Sequence, residues 1–534
     1  MLFNSYQFIF FFLPITLTIY YLLGARKRYW GALLWLVLAS LVFYGWWNPA
    51  YLVLILSSAI FNYLMGRALL PRSDGHRKKQ RVGLLVVGVG ANIVAIAYFK
   101  YANFFVDNAN TLLGSNFHLD QIVLPLAISF FTFQQITYLV DAYTGDGQES
   151  TGDGQESSFL KYCLFVTFFP QLIAGPIVHH KEMIPQFSNR NVFRFHNDRL
   201  AIGLTIFSIG LLKKTAIADG VAVYSTPVFD AALSGFSPTF FEAWGAALAY
   251  TFQLYFDFSG YSDMAVGLAY MFGICLPLNF FSPYKAVNII EFWRRWHISL
   301  SRFLRDYVYI PLGGNRNGSF RRFQYLLITM LLGGLWHGAG WTFVAWGALH
   351  GAYLIINHLW RGLRIWMGQD LTCERWWGRF LSQVVTFLAV VVGWVIFRAE
   401  SFPAAISILL GMSGTNGFAL PPSYLNYLNH LFQIGDWLAA QGWIFAEEVK
   451  YFGGVKQVGL LALLLMWTWF VPNTYQIMGK NSPALDISSV IPTRRELIRV
   501  KWVPSMGYAL LVSFMLFIAL NLLDSTSEFL YFQF

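Results

Sequence analysis

Charge is what this sequence has least of. Only 12% of its 534 residues are Asp, Glu, Lys or Arg, about half the share of an ordinary soluble protein, which excludes a chain held in water by its surface. Cysteine is scarce too. Cys163, Cys275 and Cys373 stand far apart with no CxxC spacing, so neither a disulfide framework nor a zinc site is indicated. No HExxH or other metal-ligand spacing is present, no GxSxG elbow, and no Cys or Ser nucleophile beside a histidine in sequence. The Gly-rich PLGGNRNG reads as a turn, because no strand and helix flank it as a dinucleotide site requires. There is no internal repeat between the halves. No linker of soluble-domain composition divides the chain, so residues 1–534 are read as one domain.

What is present is apolar sequence in runs of membrane length. The chain is 56% hydrophobic, and runs of about twenty apolar residues call for helices, since barrel strands show only ten-residue alternation. The expected fold is all-α and polytopic, with roughly eleven transmembrane helices. Early spans fall near Met1–Ala25, Tyr29–Trp46, Tyr51–Leu70, Val82–Tyr98 and Ile122–Leu139, and later ones include Ala243–Phe258 and Met264–Leu278 as separate segments. The first span has no basic region before it and is read as retained, not as a cleaved signal. The formal charge of +10 belongs to short loops between spans, not to a nucleic-acid surface. Arg26–Arg28 and the loop Pro71–Arg81 flank one helical hairpin, so both are expected on the cytoplasmic face, with the amino terminus outside.

Two stretches interrupt the pattern. TGDGQES at Thr144–Ser150 is repeated unchanged at Thr151–Ser157, a local duplication of the kind a surface loop tolerates, and no function is assigned to it. From Phe159 to His180 an apolar segment is broken by Pro170 and by Ala174–Pro176 and ends in His179-His180. Such a break at membrane depth requires backbone buried in protein or lining a cavity, which makes the segment a candidate re-entrant element.

The block from Tyr255 to Trp346 concentrates ionisable residues that a bilayer excludes unless they have a role. Taken as one helix, Ile289–Ile310 places Glu291, Arg294, Arg295, Ser301, Arg302 and Arg305 on a polar stripe and Trp293, Trp296, Leu300 and Leu304 opposite. The pattern suits an interfacial helix whose arginines either anchor it to headgroups or hold the phosphates of an acyl donor. His297 lies on the apolar side of that stripe. His337 ends an apolar span in GLWHGAG, among small residues that permit close approach, and carries the side chain best suited to proton transfer near neutrality. A polar residue joining helices would look the same. Asp257 and Asp263 either orient a histidine or arginine or act as structural counter-ions.

The segments YFDFSGYSDMAVGLAYMFG, EFWRRWHISLSRFLRDYVYIPLGGNRNG and MLLGGLWHGAGWTFVAWGALHG resemble the membrane-bound O-acyltransferase family, in particular its bacterial members that acetylate alginate, peptidoglycan and cellulose. Weaker similarity runs through LPLAISFFTFQQITYLVDAY, FFPQLIAGPI and VGWVIFRAE, and the ending EFLYFQF is similar to endings of members that acetylate cell-wall and other polymers. The resemblance implies helices around a central tunnel in the bacterial inner membrane, with the family's motif histidine matching His337 and its second histidine matching His297. It implies acetyl-CoA as a cytoplasmic donor, no permanently bound cofactor or metal, an extracytoplasmic polysaccharide acceptor, and a separate periplasmic partner. On this reading Arg294, Arg295, Arg302 and Arg305 are candidates for donor phosphates. A transporter or a non-catalytic scaffold of an acetylation complex is the competing expectation.

Overall fold

The computed structural model describes residues 1–71, 78–145, 158–371, 375–447, 449–481, 483–485, 500–523 and 529–530. Apart from Thr144 and Gly145 the doubled heptapeptide lies outside them, as do Cys373 and most of the EFLYFQF ending. Helix dominates, as it must where no water is at hand to satisfy backbone groups. The described residues hold a single two-stranded pairing, Ala419–Leu420 beside Ile444–Phe445.

Among the described residues, five helical stretches are long and apolar enough to cross a membrane: Phe8–Ala25, Tyr51–Leu69, Lys79–Leu113, Asn197–Leu233 and Trp376–Arg398. Shorter apolar helices are Tyr29–Gly45, Phe402–Ser413, Gly454–Phe470 and Met506–Asn521. The helices Phe240–Met271, Gly318–His337 and Trp341–Trp366 are long but carry the chain's polar motifs, so hydropathy does not single them out.

The spans expected at Ala243–Phe258 and Met264–Leu278 are one 32-residue helix, Phe240–Met271. FSGYSD does not break it because Gly260 serves packing there. A Cβ at Gly260 would lie 2.7 Å from the Gly210 carbonyl oxygen, one at Gly210 2.5 Å from that of Gly260, and Gly267 and Gly203 face each other in the same way one heptad along. Two backbones therefore touch along this seam, which apolar association in lipid favours. Gly260→Ala is expected to lower stability by about 1–3 kcal/mol through overpacking. Gly459→Ala, where nothing stands within 4 Å, should not. Thermal unfolding midpoints of the two detergent-solubilised variants check this.

The same seam explains the mid-helix carboxylates. Lys213 and Lys214 open a π-helical turn, Lys213–Ala218. Lys214 binds Asp257 at 2.7 Å and Asp219 at 2.9 Å, and Lys213 binds Asp263 at 2.7 Å. Asp263 also accepts from Thr474, and Asp257 from the backbone N–H of Leu530. Of the two roles open to them, Asp257 and Asp263 take that of structural counter-ions.

The segment after Phe159 is broken as its Pro and Gly residues require. Helices Phe159–Thr167 and Phe169–Leu172 are followed by non-helical backbone up to His180–Ser188, all of it buried in protein. Ser299 Oγ accepts from the Ile177 N–H. The single amphipathic helix expected over Ile289–Ile310 is not formed. It is divided into Ile289–Trp293, Ile298–Leu304 and the π-turn Arg305–Tyr309, with His297 left-handed at φ 43° where the chain turns. Trp293, Arg295, Trp296, His297 and Ser299 are buried, so no one face lies along an interface.

Candidate active site

His337 is the last residue of the helix Gly318–His337, and the chain turns back through Gly338 and Gly340 into Trp341–Trp366. The turn is tight because Phe343 packs over Gly334 and Gly338, where any Cβ would collide with it. This delivers the His337 ring into an aromatic box, 4.8 Å from the Trp336 ring and 5.1 Å from those of Trp346 and Phe397.

A helix ending inside the protein leaves its last carbonyls without intrahelical partners. A second irregularity meets them. The π-turn Ala97–Tyr101 interrupts the long helix before Ala102, and Tyr101 Oη donates to the Leu335 carbonyl at 2.5 Å. Lys100 Nζ donates to those of Trp336 and His337 at 2.6 and 2.9 Å.

His297 reaches the same place from another direction. Its Nδ1 lies 3.1 Å from Asn279 Oδ1, which also accepts from Ser299 Oγ at 2.9 Å and from the Ser299 N–H. A backbone N–H can only donate, so the Asn279 atom it meets is the oxygen. Nδ1 of His297 therefore carries the proton, and Nε2 holds the lone pair. The His297 ring packs edge-on against Phe258 at 4.8 Å and Trp336 at 5.8 Å. Histidines forty positions apart in sequence thus share one indole.

Trp336 belongs to an aromatic layer. It stacks on Phe133 at 5.4 Å, which stacks on Phe303 at 4.1 Å, with Phe130 edge-on at 5.7 Å. A cavity of about 390 Å³ reaches Lys100, Phe130 and Trp336 and is lined by Met1, Trp47 and Val123–Phe130. A larger one, about 870 Å³, is lined by Arg294, Arg302, Arg305, Arg322 and His358 with Trp293, Ser299 and Met330 and, among the described residues, by no carboxylate. The helix Gly318–His337 connects the two. Arg322 stands at one end and Trp336 about 21 Å along its axis, at 1.5 Å per residue.

The four arginines singled out in the sequence do not act as one set. Arg294, Arg302 and Arg305 line the larger cavity. Arg302 is clamped by Glu182 through two contacts of 2.6 and 2.9 Å, and Arg305 pairs with Asp306. Arg295 points elsewhere, bound to Glu291 at 2.7 Å and to the Phe281 carbonyl. Residues that sequence reasoning passed over are Lys100, Tyr101, Asn279, Arg322 and His358. Lys100 alone carried a signal, a lysine inside an apolar run. The Arg322 guanidinium lies against the His358 ring, and both residues fall outside the motifs. Of the pair at the end of the broken segment, His180 faces Asp141, and His179 stacks on Tyr307, whose hydroxyl donates to Asp141 at 2.9 Å. Neither lines the two cavities.

Fold and site together define a multi-helix membrane protein with two buried histidines that share contact with Trp336 and line neither of the two cavities. Residues 87–389 match the family described as MBOAT, membrane-bound O-acyltransferase family. The peptidoglycan O-acetyltransferase of Helicobacter pylori is 45% identical over 443 residues, 79% of this chain and 81% of that protein. The probable alginate O-acetylase of Pseudomonas putida is 39% identical over 542 residues, the whole of both chains. The teichoic acid D-alanyltransferase of Streptococcus thermophilus is 30% identical over 292 residues, 51% of this chain and 68% of that one. The chain belongs to the membrane-bound O-acyltransferase family, and is an O-acyltransferase by that membership.

Asn279 offers a test of the His297 geometry. Asn279→Leu removes the acceptor of three donors, at about 1–3 kcal/mol for a buried group left unpaired. Acyl transfer should fall about tenfold or more, whereas Asn279→Asp, which keeps an acceptor oxygen, should retain more activity; initial rates at matched membrane abundance check this.

Proposed function

We propose that the protein O-acetylates an extracytoplasmic polysaccharide, taking the acetyl group from acetyl-CoA on the cytoplasmic side and passing it on with the help of a periplasmic partner. The observation that carries this reading is the larger cavity, lined by four arginines and, among the described residues, by no carboxylate. A lining in which Arg294 and Arg322 stand beside the carboxylate-paired Arg302 and Arg305 favours a donor rich in phosphate, since guanidinium groups bind phosphate through paired N–H donors. The names of the relatives support polysaccharide acetylation, alginate in one and peptidoglycan in the other.

The chemistry follows from what acyl transfer needs. The acceptor hydroxyl loses its proton to the His337 imidazole as its oxygen attacks the thioester carbonyl. The carbon–sulfur bond breaks, and the departing thiolate takes up a proton, which restores the imidazole. If transfer is stepwise, the His337 nitrogen carries the acetyl group in between. The aromatic box serves either route by keeping water from the thioester. On this reading His297 positions the donor or shares the proton.

The smaller cavity shares its lining with Met1 and Trp47, and the chain between them passes the basic run Arg26–Arg28 at the opposite end of its helices. On this reading, with the positive-inside rule, the smaller cavity and the amino terminus face outside and the arginine-lined cavity faces the cytoplasm. The inner membrane and roughly eleven spans complete this topology.

The test is the acetyl content of extracellular and cell-wall polymers from cells carrying wild-type, His337→Ala or His297→Ala protein at matched membrane abundance. Loss in the His337 variant, by about 10²–10⁴-fold in rate, from one polymer identifies reaction and acceptor together. Unchanged acetylation in both variants would replace the enzyme by a scaffold or transporter. Arg322→Ala is expected to raise the KM for acetyl-CoA several-fold, about what a lost charged hydrogen bond costs, with kcat nearly kept. Initial rates against acetyl-CoA concentration measure both.

A further inference from the structure

We propose that Lys100 is a positioning residue of the transfer reaction, acting through His337 by holding the end of its helix. The inference rests on the reading of His337 given under the proposed function.

Three consecutive carbonyls, those of Leu335, Trp336 and His337, are met by two consecutive side chains, Tyr101 and Lys100, from one π-turn. Single π-turns within α-helices cluster at functional positions. Here the turn presents neighbouring residues to one helix end. The last carbonyls of a helix carry partial negative charge, so a cation there does more than donate hydrogen bonds. Among the described residues Lys100 makes no carboxylate contact. Its polar partners are the two carbonyls, and its side chain also lines the smaller cavity. A lysine in a long apolar span, Lys79–Leu113, without an acidic partner is costly, and the helix end supplies the counter-charge that an acid would otherwise give.

The consequence concerns the base itself. His337 is the terminal residue, so nothing beyond it in the helix fixes its backbone, and Gly338 follows in extended conformation at φ −163°. Ring contacts with Trp336, Trp346 and Phe397 surround the imidazole. The two hydrogen bonds to Trp336 and His337 fix the peptide planes on which ring and indole hang, and a shift of a fraction of an ångström there displaces the imidazole from the acceptor hydroxyl. The arginine-lined cavity lies at the far end of the helix and is untouched by Lys100.

The experiment uses the full-length protein in membranes with acetyl-CoA as the probe. It follows release of the CoA thiol above the His337→Ala background, together with polymer acetyl content. Lys100→Met keeps the length and loses charge and donors; Lys100→Arg keeps both. The expected result is a fall in kcat of about tenfold or more for Lys100→Met, with KM for acetyl-CoA within about twofold of wild type and recovery of most of the rate in Lys100→Arg. Tyr101→Phe, which frees only the Leu335 carbonyl, should lose less than Lys100→Met. A wild-type kcat in a folded Lys100→Met protein overturns the inference, as does an equal loss in the Arg and Met variants when both unfold at the wild-type temperature. If wild-type protein shows no release above the His337→Ala background and no acetylation, the proposed function fails first, and that result is distinct from either outcome at Lys100.

Discussion

In a medium without water, a helix that stops must hand its last carbonyls to something else, and the site of this protein is built around one such stop. The helix carrying His337 ends in the interior, where the glycines after it let Phe343 fold back over the turn. Lys100 and Tyr101 meet the carbonyls thereby exposed. Ending the helix there puts an imidazole among aromatic rings instead of along a helix flank. Capping it there requires another span to break regularity at the matching height, which is why a π-turn interrupts Lys79–Leu113.

The same constraint governs the other polar groups at depth. Lys213 and Lys214 come from a further π-turn and neutralise Asp263 and Asp257 on the neighbouring helix. The glycine seam between those helices brings the backbones close enough for short side chains to meet. Ion pairs of this kind seldom add net stability over apolar packing, but removing one partner leaves a charge where none can be solvated. His297 obeys the rule through Asn279, and the broken segment before His180 obeys it through Ser299. Each irregularity in one element is answered by a side chain from another.

The two cavities differ in lining. The larger holds four arginines and, among the described residues, no carboxylate; the smaller is mostly apolar, with a lysine. Phe130, Phe133, Phe303 and Trp336 form an aromatic layer in which both histidine rings touch the same indole. Sugar-polymer acetylation and teichoic acid D-alanylation both occur among the names of the relatives.

Membrane residence and helical class were legible in the sequence, because hydrophobic run length reports directly on solvent. The even polar stripe of Ile289–Ile310 was misleading. Periodicity describes a helix in isolation, and here Asn279 and Phe281 recruit the backbone at Arg295–Ile298 and break it. For the same reason Arg295, indistinguishable from its neighbours in sequence, is bound to Glu291, while Arg322 and His358, outside every motif, line the cavity. Composition determines which groups must be buried or paired; which partner each finds depends on distances between helices far apart in the chain, and only the tertiary structure decides those.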